Sequence, residues 1–235
     1  YKYKKVDFMN YKGVIFDLDG TLVNSLTDLA NSVNIVLTEY NLPTHDIESY
    51  KYRVGNGIKK LMERSLPQDK QYLLDEALAK FKQVYAKHNL DHTAPYEDIL
   101  TLLKKLQQQN IKLGICTNKH DEAAKNIVKL LFGEGIFSEI IGDKAGLKRK
   151  PDPGKVLMIA QNWQLKPQEI AYLGDSDVDM QTAKNADMLA VGVLWGFRPA
   201  DELKQNGADI LIAKPLDLLL SLIHISEPTR QEAIS

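Results

Sequence analysis

The sequence predicts an α/β fold, a doubly wound parallel sheet interrupted once by an all-helical module, and three observations carry that reading. Short apolar runs at Gly13-Val14-Ile15, Leu113-Gly114-Ile115-Cys116 and Ile170-Ala171-Tyr172-Leu173 each end in polar or acidic residues, as buried parallel strands do when their carboxyl ends face a ligand. Helical stripes alternate with such runs through the second half of the chain. Between the first and second runs stands a helical insert of about 70 residues, well beyond an ordinary connection.

The first strand, about residues 13–17, delivers Asp17-Leu18-Asp19-Gly20-Thr21. Two carboxylates one residue apart repel, and a pKa rises unless a cation sits between them. The spacing therefore points to a divalent metal, to a nucleophile paired with an acid/base, or to both. Gly20 permits a tight turn and Thr21 can start the next segment by capping or turn bonds. Leu26, Leu29, Val33, Val36, Leu37 and Tyr40 then recur at helical spacing, Ile58, Leu61 and Met62 begin a second helix, and Leu73, Leu74, Ala77, Leu78, Phe81 and Tyr85 give a third stripe. These stripes describe packing, and they predict a helical module over 23–94 set into a core formed by 11–22 and 95–221.

Ile99, Leu102, Leu103 and Leu106 predict a core helix ahead of the second strand, about 112–117. Thr117 and Asn118 at its end are donors suited to a phosphate or carboxylate. Lys148-Arg149-Lys150-Pro151-Asp152-Pro153 is a basic cluster whose prolines would hold one cation in a fixed direction. Strand and helix alternation continues through Ile140, Val156 to Ala160, the third apolar run, Ala183, Leu189 to Val193 and Ile210 to Ile212. The run at 170–173 delivers Asp175, Asp177 and Asp179, without the ligand ladder and closing Glu of a calcium loop. In an open parallel sheet all carboxyl ends lie along one edge, so these four segments are expected to meet at one site.

Length and composition agree. With 235 residues, 44% of them hydrophobic, the chain can bury one core and a smaller module. A net charge of −1 gives no sign of a nucleic-acid or membrane surface. The single cysteine, Cys116, falls in a predicted buried strand and reads as a small hydrophobe, so a reducing, cytoplasmic setting is expected. The apolar run from Leu216 to Ile225 is far short of the roughly 18 residues of a membrane span, and no signal peptide is apparent. Residues 1–10 read as an N-terminal extension with Met9 as a natural start. Leu222 is expected to close the last helix, with 222–235 a tail outside the domain.

In their order, Phe16-Asp17-Leu18-Asp19-Gly20-Thr21-Leu22, Cys116-Thr117-Asn118-Lys119, Lys148 to Pro153 and Gly174-Asp175-Ser176-Asp177-Val178-Asp179 resemble the motifs of the haloacid dehalogenase superfamily of phosphohydrolases, over nearly all of 11–221. Within it, Arg53-Val54-Gly55-Asn56-Gly57, Pro95-Tyr96, Gly196-Phe197-Arg198 and Asn206-Gly207-Ala208-Asp209 look like the phosphoglycolate phosphatase group. The resemblance implies a Rossmann-like core with a helical cap, and a Mg²⁺-dependent phosphomonoester hydrolase working through an aspartyl-phosphate. Its substrate would be a small phosphorylated metabolite, with 2-phosphoglycolate the best match.

By the same resemblance Asp17 is the nucleophile and Asp19 the general acid and then base, while Lys150, Thr117 and the backbone at Asn118 bind the phosphoryl group. The Asp17 carboxylate, the Asp19 backbone carbonyl and the Asp175 carboxylate are the implied Mg²⁺ ligands. Asp179 is expected to orient Lys150 or a metal-bound water, with Asp177 a solvated neighbour. Arg53, Gly55, Asn56 and Gly57 in the cap and Arg198 in the late loop are the expected substrate contacts, with Lys59 a further cation available to a substrate carboxylate. A monomer or homodimer with no nucleic-acid or membrane partner is implied. A phosphosugar mutase, a pyrophosphatase or a nucleotidase would keep the same four motifs. Asp19 argues against a dehalogenase, the long insert against a phospho-accepting receiver, and the filled catalytic positions against a silent binding protein.

Overall fold

Every residue of β1 (Gly13–Phe16) is buried, because β1 lies between two parallel neighbours, β4 (Lys112–His120) and β6 (Ile170–Gly174). The computed structural model describes residues 11–219, and the expectations for 1–10 and 222–235 fall outside them. Its six-stranded sheet has the order β5-β4-β1-β6-β7-β8, with β5 at Glu139–Asp143, β7 at Leu189–Val193 and β8 at Ile210–Ile212. All pairings in this sheet are parallel. From β1 the chain builds outward to β4 and β5, then crosses back to place β6 on the other side. The strand order thus reverses at β1, and the crevice beyond its carboxyl end is where a doubly wound sheet binds ligands.

Alternation along each strand supplies two cores. Val14, Phe16, Leu113, Ile115, Ala171 and Leu173 face one layer, which includes residues of α4 (Ile99–Gln108) and α5 (Asp121–Phe132). Ile15, Cys116, Ile170 and Tyr172 face the other, under α6 (Gly154–Trp163) and α7 (Asp177–Asn185). With both faces covered, the strands read as continuous apolar runs. A short helix, α8 (Ala200–Gln205), precedes β8.

β4 runs three residues beyond the expected end at Thr117. Its register against β5 shifts between Cys116 and His120, and the polar residues Thr117, Asn118 and Lys119 are buried there. Polarity made that stretch look like a loop; its polar side chains are satisfied inside the molecule instead.

The helical insert stands between β2 (Val23–Asn24) and β3 (Ala94–Pro95), which pair antiparallel so that the chain leaves and re-enters the core side by side. Within it α1 (Leu26–Glu39), α2 (Ile58–Ser65) and α3 (Leu74–His88) bury Leu29, Val33, Leu37, Met62 and Phe81 in a cluster of their own. Asp28 on α1 accepts bonds from the backbone N–H of His92 and Thr93 and from the Thr93 hydroxyl. Burial works against its charge, yet these donors hold the carboxyl below the usual range and tie the two ends of the insert together.

Trp163, at the end of α6, lies flat against two strands that have no side chain beneath it. A Cβ built on Gly13 would stand 2.6 Å from the indole and one on Gly114 2.9 Å from it. Gly13→Ala is therefore expected to overpack this contact and cost about 1–3 kcal/mol, seen as a lower urea midpoint. A wild-type midpoint would show that Trp163 yields without cost.

Candidate active site

The carboxyl ends of β1, β4 and β6 and the loop before α6 bring Asp17, Thr117, Asp175 and Lys150 together. Asp17 follows β1, and its Oδ1 accepts a bond from Leu18 N–H at 2.7 Å. Lys150 Nζ lies 2.9 Å from the same oxygen and 2.6 Å from Asp179 Oδ1, with its side chain only 1% exposed. Asp179 has no further capacity: Oδ1 also accepts from Tyr172 OH, and Oδ2 accepts from the backbone N–H and hydroxyl of Ser176. Of the two tasks expected of Asp179, orienting Lys150 is the one its contacts fit. Asp177 opens α7 half-buried.

Asp175 is fixed from two loops. Oδ1 accepts from the Thr21 hydroxyl at 3.2 Å and Oδ2 from Phe197 N–H at 2.8 Å. The approach is close enough to demand glycine on both flanks. A Cβ on Gly20, whose φ is 85°, would fall 2.3 Å from Asp175 Oδ2, and one on Gly196 2.2 Å from Asp175 Cβ.

Asp17, Asp175 and Asp179 offer carboxylate oxygens within 4.8 Å of one another, all from buried residues. Burial is the main reason the Asp17 carboxyl is pushed up to about 6, with Lys150 opposing the rise and Asp179 adding to it. Asp175 is raised well above the usual carboxylate range, again chiefly by burial and then by the charges of Asp179 and Asp17. The same two carboxylates lift Lys150 far above an ordinary lysine despite its burial. One ammonium among three ionised carboxylates leaves two negative charges uncompensated, and this oxygen-only donor set suits a hard divalent cation. Because Asp179 is saturated by protein donors, Asp17 and Asp175 are the carboxylates left to hold it.

Asp19 points to a different partner. Lys119 Nζ donates to both of its oxygens, at 2.9 and 3.0 Å, and to Tyr85 OH on α3 at 2.8 Å. Ser25 donates to Asp19 Oδ1 as well. In the sequence nothing marks Lys119 for a role of its own, and Tyr85 is one position of a helical stripe. Lys155 was likewise unassigned: it is buried on α6 and donates to the Thr117 carbonyl at 2.8 Å, fixing the end of β4 from behind.

Asp17, Asp19, Thr117, Asn118 and Asp175 line one cavity of about 50 Å³, with Lys119 beside them. Its opposite wall is the insert loop at Val54, Gly55 and Gly57, and Phe197 and Arg198 close the side. Besides the Ser25–Asp19 bond, the bonds that join the insert to the core here include Asn118 Nδ2 to Gly55 O at 3.1 Å, Arg198 Nη2 to Val54 O at 3.2 Å, and the Lys119–Tyr85 pair. Arg53, Asn56 and Lys59 are not part of the lining. The Arg53 guanidinium turns into the insert, bonded to Ser49 O and lying over the Tyr50 ring, and Asn56 accepts from Arg64.

Residues 14–193 match the family model described as haloacid dehalogenase-like hydrolase. The chain belongs to that family. A curated phosphoglycolate phosphatase of Chromobacterium violaceum is 34% identical over 212 residues, spanning 88% of this chain and 94% of its own length. Another, from Psychrobacter arcticus, is 31% identical over 205 residues, covering 84% of this chain and 89% of the relative. Among solved structures, a Lactobacillus delbrueckii subsp. bulgaricus protein described as a candidate phosphoglycolate phosphatase superposes with a TM-score of 0.86 at 30% identity, over 91% of this chain and 99% of that one. The chain is a phosphatase of the haloacid dehalogenase-like hydrolases, and no helix among its described residues is long and apolar enough to cross a membrane.

The raised Asp17 pKa has a consequence for stability. A carboxyl at about 6 in the folded state and near its ordinary value of about 3.9 when unfolded keeps its proton more tightly in the native protein. That contribution is fully present below the unfolded value and is lost as pH rises through about 6. In chelator, Asp17→Asn is therefore expected to gain stability relative to wild type as pH goes from about 4 to about 7, measured as the difference in thermal midpoints. A difference independent of pH would contradict the assignment.

Proposed function

We propose that this phosphatase is a Mg²⁺-dependent hydrolase of small phosphomonoesters, acting through an aspartyl-phosphate on Asp17, with 2-phosphoglycolate as substrate and glycolate and phosphate as products. The observation that supports it most is the buried Lys150, bonded at once to Asp17 and Asp179 at the end of β1. Leu18 N–H and Lys150 fix the direction of the Asp17 carboxyl through Oδ1, and Oδ2 has neither of these donors. Mg²⁺ held by the Asp17 and Asp175 carboxylates and the Asp19 carbonyl would neutralise phosphoryl charge and orient the ester.

Each step then falls to the chain's own residues. Asp17 Oδ2 attacks phosphorus as the ester P–O bond breaks, and the departing alkoxide takes a proton from the Asp19 carboxyl. Water then attacks the same phosphorus and gives its proton to Asp19, and the Asp17–phosphorus bond breaks to release phosphate. The Thr117 hydroxyl, the backbone N–H of Asn118 and Lys150 surround the equatorial oxygens, where the charge of the transition state is spread. Lys119 and Ser25 fix the direction of the Asp19 carboxyl.

We assign residues 23–94 the part of a cap over a core of 11–22 and 95–221. The paired strands β2 and β3 are its hinge, and the bonds from Gly55, Val54 and Tyr85 to the core are those that break when it opens. Such opening admits substrate, and closure excludes bulk water. The small volume beneath the cap favours a short leaving group over a nucleotide.

A phosphate-release screen with Mg²⁺ over phosphoglycolate, sugar phosphates, nucleotides and pyrophosphate tests the reading. Phosphoglycolate is expected to give the highest kcat/KM and chelator to abolish release. A preference for another member of the screen would overturn the substrate, and full turnover in chelator the metal. Asp17→Asn is expected to remain folded by circular dichroism with turnover reduced to background, and near-normal activity would remove Asp17 as the nucleophile.

A further inference from the structure

Arg198 presents an unusual combination in this site. It is 8% exposed and lines the cavity that Asp17 and Asp175 open into. Its Nε pairs with Glu202 at 3.0 Å and its Nη2 donates to Val54 O of the insert, while the guanidinium plane lies over the Tyr52 ring. Nη1 is buried with no hydrogen-bond partner. An unpaired donor on a buried cation costs stability, so an acceptor is expected to arrive from elsewhere.

The lysines around the site each have a protein acceptor already. All three Lys119 protons are directed at Asp19 and Tyr85, Lys150 is shared by Asp17 and Asp179, and Lys155 faces the Thr117 carbonyl. Arg53 also has a buried, unpartnered Nε, but its guanidinium is turned into the insert, away from the cavity.

We infer that Arg198 is the specificity residue of this phosphatase, with Nη1 receiving a carboxylate on the leaving group of the ester whose phosphoryl group meets Asp17. The inference rests on the proposed phosphoglycolate reading and names the group that reads the acid. Its position suits that task. Phe197 N–H holds Asp175, so Arg198 is the next residue along a backbone anchored to the phosphoryl site, and the two ends of a short substrate would be read by adjacent residues. Nη2 on the insert loop makes the same guanidinium part of the closed cap, so an acid in place favours closure. The planar fork suits a carboxylate better than a lysine would.

The test compares kcat/KM for phosphoglycolate with that for ethyl phosphate, which has the same chain length and no carboxylate. Wild type, Arg198→Lys and Arg198→Met are measured, each checked for folding by circular dichroism. Taking the ratio of the two substrates cancels any general loss from a loosened cap. The ratio should favour phosphoglycolate in wild type, fall by about 30-fold or more in Arg198→Met, and lie between these in Arg198→Lys. A wild-type preference that persists in Arg198→Met would overturn the role of Arg198 and leave the substrate reading standing. Wild type showing no preference for phosphoglycolate would overturn both.

Discussion

The site depends on one buried interaction, the Lys150 ammonium held between Asp17 and Asp179. Charges removed from water are costly unless paired and hydrogen-bonded, and here each partner is held by further donors: Leu18 N–H on Asp17, and Tyr172 and Ser176 on Asp179. Lys150 comes from the loop before α6, Asp17 from the end of β1 and Asp179 from the first turn of α7. The arrangement exists only if the sheet has its crossover at β1, so the topology and the charge network require each other. Removing Lys150 would leave two buried carboxylates facing each other, and their repulsion would act on the fold as well as on the reaction.

A second network, Asp19–Lys119–Tyr85, carries the core's electrostatics into the helical insert. The acid/base proposed for the reaction is thereby oriented by a lysine that also holds a cap tyrosine. Together with Asn118 on Gly55 O and Arg198 on Val54 O, it makes the insert part of the site's polar chemistry. Phe197 does the same in apolar terms, giving its backbone N–H to Asp175 and its ring to the insert's cluster. On the proposed reading, movement of the insert would therefore be coupled to the residues around the phosphoryl group.

The sheet and its helices were legible because short apolar runs and helical stripes survive in the sequence, as at Val14, Ile15 and Phe16, a continuous run because its side chains go to two buried faces. The four acidic and basic motifs were legible because a parallel sheet forces its strand ends to one edge. For Asp179 the resemblance left two tasks open, orienting Lys150 or a metal-bound water, and only its contacts with Lys150, Tyr172 and Ser176 separate them. What could not be read were contacts that depend on how the insert sits on the core. Tyr85 has the spacing of a packing residue, and nothing local marks its hydroxyl as a partner for Lys119. Arg53 and Arg198 are equally plausible cations in the sequence; only the turn of the chain at 53–57 sends one guanidinium inward to Tyr50 and leaves the other at the cavity. β4 was underestimated for a related reason, since a polar run at a strand's end looks solvated until its partners are known.

The central claim is that Asp17, held by Lys150, takes the phosphoryl group onto its own side chain. Acid quenching of the enzyme during turnover of phosphoglycolate with Mg²⁺, followed by peptide mass spectrometry, tests it most directly. The account predicts a phosphoryl group on the peptide containing Asp17, acid-stable and released by hydroxylamine. Turnover at full rate with no covalent phosphoryl group at any quench time, or one carried by a different residue, would contradict it.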